Sequence, residues 1–198
     1  TFSTSAIKYL HGKIGSGSCN GQNIFRTARA LTEIPSTFDM SGFSGLNYAL
    51  FDTEGMQSFG TVDAPVALKD GLSSSQFARG AGLIREMNIG SGYFTGNIGL
   101  MFYQSNMLTA MRGLNVKAIT VLTNAFYQAY GLQTLESSNI TVSFDLSDCN
   151  FATQGLVDIF NDLANATATI TITGNPGTAG LSAANLLIAT NKGWTVTT

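Results

Sequence analysis

One histidine, two cysteines and a short run of aspartates are the residues of this chain whose types could do chemistry. His11 lies in His11-Gly-Lys-Ile-Gly-Ser-Gly-Ser-Cys-Asn-Gly21, a stretch with four glycines. A Ser–His–Asp arrangement would have to use it, and no G-x-S-x-G elbow is present, so His11 reads as a surface residue of a loop. A structural zinc site needs several His or Cys ligands, and His11, Cys19 and Cys149 have no such spacing. The cysteines are 130 residues apart, too few for a stapled secreted scaffold, and read as free thiols. Asp145 and Asp148 flank a turn, with Asp158 and Asp162 on the segment after it. Such acids suit Ca²⁺, but the EF-hand pattern is missing, and capping and solvation explain them. Gly15-Ser-Gly17 and Gly90-Ser-Gly92 do not complete a dinucleotide loop. The residues therefore point to no catalysis, cofactor or metal.

Composition narrows the partners. Of 198 residues only 11% are charged, and net charge is −2. A nucleic-acid surface needs clustered Lys and Arg, and here the basic residues are scattered singly. No apolar run reaches a membrane span of about 18 residues or more. The chain starts at Thr1 without signal-peptide features: it is either used unsecreted or already processed. The sequons at Asn139 and Asn165 read as coincidence in a chain rich in Asn and Thr.

What remains is a repeating framework. Segments opening at Phe25, Leu50, Phe77, Phe102 and Phe126 recur about every 25 residues. Each has Leu or Met six residues on: Leu31, Met56, Leu83, Leu108 and Leu132. Four have a further apolar residue at Ile34, Phe59, Met111 or Leu135; the third has Glu86 there, with Met87 beside it. A fixed period of this size is the signature of stacked units. The expected fold is α/β and β-rich, a right-handed solenoid with a parallel sheet. Its convex side is coil-like in the N-terminal part and helical in the C-terminal part. The opening Phe points inward, and Phe102 and Phe126 form a core ladder. Strand alternation then turns Thr32, Gln57, Arg85, Thr109 and Gln133 to solvent. Tyr103, Tyr127 and Tyr130 adjoin the ladder as candidate contact residues, since exposed Tyr among amides suits protein or sugar surfaces.

Three regions follow. Residues 1–23 do not repeat and read as a cap or docking arm. Residues 24–140 carry the repeats, with Gly90-Ser-Gly-Tyr-Phe-Thr-Gly96 as a turn between coils. Residues 141–198 read as strand, helix, strand, helix, strand. Asp148–Thr153 caps the first helix, and Leu156, Ile159, Phe160 and Leu163 form its buried face. Ser182 caps the second, which ends near Gly193. Strand starts near 143, 169 and 194 keep the period, so the strand stack is expected to continue through the join at 136–147.

Met101-Phe-Tyr-Gln-Ser-Asn-Met-Leu-Thr-Ala-Met111 and Asn124-Ala-Phe-Tyr-Gln-Ala-Tyr-Gly-Leu-Gln-Thr-Leu135 resemble BspA-type leucine-rich repeats. Phe144-Asp-Leu-Ser-Asp-Cys-Asn-Phe151 through Lys192-Gly-Trp-Thr-Val-Thr-Thr198 resembles a leucine-rich module at the ends of tailed-phage virion and tail proteins. The resemblance implies a non-enzymatic structural or receptor-binding module of a virion. Its partners would be other virion proteins, a further copy of the chain, or a host protein or glycan. The alternative is a secreted bacterial or protist surface adhesin, and the third reading is a glycan-active enzyme.

Overall fold

The computed structural model describes residues 10, 12–13, 19–28, 30–50, 53, 55–72 and 75–198. His11 lies outside the described residues, as does most of the proposed N-terminal arm. The chain is α/β, with mostly parallel sheets that do not close and, among the described residues, two α-helices.

Five strands, starting at residues 33, 58, 86, 110 and 134, begin where the repeats place them, and others lie outside those positions. In chain order the strands are β1 (Gly12–Lys13), β2 (Cys19–Asn20), β3 (Glu33–Ile34), β4 (Phe38–Asp39), β5 (Phe43–Gly45) and β6 (Ser58–Phe59). Longer ones follow: β7 (Val66–Leu72), β8 (Glu86–Asn97), β9 (Ala110–Val121) and β10 (Thr134–Ser138). The last part holds β11 (Phe144–Asp145), α1 (Thr153–Asp162), β12 (Ala168–Thr171), α2 (Ala183–Thr190) and β13 (Trp194–Thr197). The main sheet runs β10-β9-β8-β6-β3, with β7 also on β8. Its register pairs Glu33 with Ser58, Ser58 with Glu86, Glu86 with Ala110 and Ala110 with Thr134. The irregular segments on the opposite side are bonded in the same sense. Phe25 N–H donates to Ala49 O, Leu50 to Phe77, Ala78 to Met101 and Phe102 to Ala125, at 2.8–3.0 Å.

The repeat skeleton is the core. Phe25, Leu50, Phe77, Phe102 and Phe126 are all buried, and so are Ile34, Phe59, Met87, Met111 and Leu135. The rings of Phe102 and Phe126 stack with centroids 5.6 Å apart. The third repeat departs from the expected spacing in an instructive way. Leu83 is exposed and Ile84 is buried in its place, while Met87, not Glu86, pairs with Phe59. One extra residue is absorbed in the turn before it. There Gly80 is left-handed (φ 67°) and Gly82 N–H donates to Gly80 O at 2.8 Å.

Three expectations need correction. Gly90–Gly96 is not a turn but part of β8, which is pleated irregularly where it bends from the β6 side toward β7. Gly92 and the adjoining Gly113 of β9 carry positive φ, and a Cβ on Gly113 would collide with the Ile89 carbonyl. Glycine there lets two backbones meet at a corner. The glycine-rich stretch 11–21 is likewise not all loop, since β1 pairs with β4 and β2 with β5. The strand stack does not run on through the join: β11, β12 and β13 form a sheet of their own. Helix α1 packs along β10 where a further strand would lie, and Asp162 of α1 accepts Ser137 N–H at 3.2 Å.

The C-terminal element order is as expected. Helix α1 buries Leu156, Ile159 and Phe160, the face its spacing assigns. Its N-cap is Ala152, without a side-chain cap, so Asp148–Thr153 does not supply one. Ser182 and Asn185 form a capping box on α2. Gly193, φ 90°, lies two residues past the α2 C-cap. The Lys192 ammonium donates to the carbonyls of Phe160, Asn161 and Leu163 at 2.6–3.1 Å, so the end of α1 is tied to the end of α2.

Candidate contact surface

Two surfaces result from this register. The first is a row across the main sheet's edge of entry. Gln57 N–H donates to Thr32 O, Arg85 to Gln57, Thr109 to Arg85 and Gln133 to Thr109, each at 2.8–2.9 Å. Five residues far apart in the chain thus stand in one hydrogen-bonded file. Thr32, Gln57, Arg85 and Gln133 are exposed, and Thr109 is half-buried with its hydroxyl on Arg85 O at 2.9 Å. Next to it the Arg112 guanidinium lies between Glu86 and Glu136, 3.4 Å from each. It also donates to Asn88 Oδ1 at 3.3 Å, while buried Asn88 donates to Gly60 O. This network orders the side chains of three strands; ion pairs this exposed add little stability.

The second surface lies beside the Phe ladder and is aromatic. Tyr103 stacks on Tyr127, centroids 5.2 Å apart and planes 22° apart. Both residues follow a core Phe directly, and the two segments are bonded side by side through Phe102 N–H to Ala125 O and Gln104 N–H to Tyr127 O, which brings the rings together. The stack extends backward through residues that sequence reasoning missed. The Arg79 guanidinium lies 5.2 Å over the Tyr103 ring and donates to Gln76 Oε1 at 2.7 Å. Gln76 in turn donates to the Tyr48 hydroxyl at 2.8 Å, and Arg26 lies 5.7 Å over the Tyr48 ring. The available signal was position: Arg26 follows the opening Phe25, and Arg79 is two beyond Phe77. Tyr127 and Tyr130 remain about half exposed, at 50% and 51%. With Gln128 and, from the next segment, Asp145, Ser147 and Asp148, they line a cavity of about 100 Å³.

The contact residues expected from sequence therefore fall into two groups, not one. Thr32, Gln57, Arg85, Thr109 and Gln133 share the sheet row; Tyr103, Tyr127 and Tyr130 share the aromatic row.

Among the described residues no three His, Cys, Asp or Glu groups converge to hold a metal. A groove of about 330 Å³ between β10 and α1 has Glu136, Asp158 and Asp162 along it, but Asp158 is bonded to Gln154 and Asp162 to Ser137 N–H. Cys149 is free and buried, and its thiol is pushed up to about 12, first by burial and then by the charges of Asp145 and Asp148. A thiol held protonated is not a nucleophile. No helix among the described residues is long and apolar enough to cross a membrane. Comparison with family models, with curated proteins and with solved structures finds no match to this chain.

Proposed function

We propose that this chain is a non-enzymatic contact module whose coils stack as a leucine-rich-repeat-like right-handed solenoid. We place it in a bacteriophage virion, in the tail, baseplate or head-fibre apparatus. One observation carries the contact reading: five coils deliver Thr32, Gln57, Arg85, Thr109 and Gln133 into a single file over a Phe core. Such a file is stiff, because every member is held by backbone bonds and by buried apolar residues. Stiff polar surfaces bind with small losses of conformational entropy. The virion assignment rests on the resemblance of the two repeat segments and of the C-terminal Lys192-Gly-Trp-Thr-Val-Thr197 to tail-associated modules.

Mass spectrometry of purified particles tests the placement, and the chain is expected among the structural proteins. Its absence there, together with a leader-bearing precursor in a cellular genome, would favour the adhesin reading. The contact reading has its own test. Gln57→Ala combined with Gln133→Ala should weaken partner or receptor binding without changing the melting temperature. Glycan depolymerisation lost on Asp145→Asn or Asp158→Asn would overturn the non-enzymatic assignment.

A further inference from the structure

Five tyrosines lie among the described residues, and they are not treated alike. Tyr48 has Arg26 over its ring at 5.7 Å, Tyr93 has Lys117 at 5.4 Å and Tyr103 has Arg79 at 5.2 Å. The electron-rich face of each is thus met by a cation from its own chain. No cation of the described residues covers Tyr127 or Tyr130, which are also exposed to about half their surface. The stack Arg79–Tyr103–Tyr127 stops at Tyr127 because the following segment brings no ring to that position. It brings Asp145, Ser147 and Asp148, whose short side chains leave the cavity of about 100 Å³.

Two carboxylates, Asp145 and Asp148, stand among the polar groups there. Asp145 Oδ1 accepts Ser147 N–H at 2.7 Å. Neither Asp145 nor Asp148 has a Lys or Arg partner among the described residues. The space is far below the roughly 300 Å³ at which small-molecule pockets begin, so a sugar ring or nucleotide does not fit the enclosed part. A planar cation fits on three counts. It stacks on a tyrosine face, it bonds carboxylates in a fork, and it is weakly hydrated.

We propose that Tyr127, Tyr130, Asp145 and Asp148 form a receptor for one guanidinium side chain of a partner protein. The partner's arginine then continues the cation–aromatic alternation that Arg79 and Tyr103 begin. This rests on the contact-module reading and adds the chemistry of the partner.

The test titrates the full chain with N-acetyl-arginine amide and follows the ring protons of Tyr127 and Tyr130 by NMR. Saturable shifts of both rings are expected, with binding at least tenfold weaker for the neutral citrulline analogue. Asp148→Asn and Tyr127→Leu should each weaken arginine binding at least tenfold while the melting temperature holds. Equal response to citrulline, or indifference to Asp148→Asn, overturns the site. So does saturation by a neutral hexose at the same rings, which would make this a sugar platform. Free guanidinium ion bound more tightly than the amide would overturn the side-chain source. Loss of partner binding in the Gln57 and Gln133 variant, with no arginine response here, overturns this inference and leaves the contact module standing.

Discussion

Phe102 and Phe126 touch ring to ring inside the core, and both are fully buried. Phe102→Ala and Phe126→Ala should each cost about 3–5 kcal/mol in urea denaturation, since truncation leaves a cavity in a packed core. The double variant should cost less than the summed singles, because the two share one contact. Cys149 makes a prediction about pH. Its ordinary value is 9.0 and its folded value about 12. Between those two the unfolded chain has lost the thiol proton and the folded chain keeps it. Stability therefore falls as pH rises through that window, by up to about 1.4 kcal/mol per unit. Cys149→Ala should flatten this slope when denaturation midpoints of the two proteins are compared below and above pH 9. The core residues were legible from sequence because their spacing repeats. The cation partners Arg26 and Arg79 were not, because which ring a flexible guanidinium covers depends on the register between coils.

Helices α1 and α2 resemble each other in sequence position but not in burial. Leu156, Ile159 and Phe160 of α1 are sealed, whereas Ala189 alone is buried on α2 and Leu187 is 53% exposed. Leu156→Ala should then cost about 2–5 kcal/mol and Leu187→Ala within about 0.5 kcal/mol of nothing in thermal melts. Short α2 relies on its ends instead, and Ser182→Ala should lose about 1 kcal/mol by opening the capping box. Between the helices, the turn at Asn175 is closed from inside. Its amide donates to Leu146 O and Ile172 O and accepts Phe151 N–H, at 2.8–3.0 Å. Asn175→Ala should cost about 3 kcal/mol, since it leaves buried backbone groups unpaired. Sequence marks Gly174-Asn-Pro-Gly177 as a turn but not as a buried clasp, since a turn signal is local and these partners come from 24 and 29 residues away. The same limit explains the misread Gly90–Gly96. Glycines signal a bend, and only pairing with β7 and β9 makes that bend a strand corner.

Across the whole molecule, cohesion comes from apolar burial and parallel backbone bonding, with only 11% charged residues. The melting temperature should accordingly shift by less than about 2 °C between roughly 0.05 and 0.5 M NaCl, as screening has few pairs to weaken. Parallel pairing was readable in advance because segments of similar spacing bring like apolar residues, Ile34, Phe59, Met87, Met111 and Leu135, onto one register. The separate β11-β12-β13 sheet was not, because equal spacing of strand starts does not say which side of the body each strand lies on. The glycine-accommodated extra residue before Ile84 leaves the strand pairing around it unchanged. It is taken up at Gly80–Gly82, while Ser58–Glu86 and Phe59–Met87 keep the pairing that flanking coils use. A segment one residue longer than its neighbours therefore meets both adjoining strands without a slip, so the slack is confined to a glycine bend and never reaches the sheet.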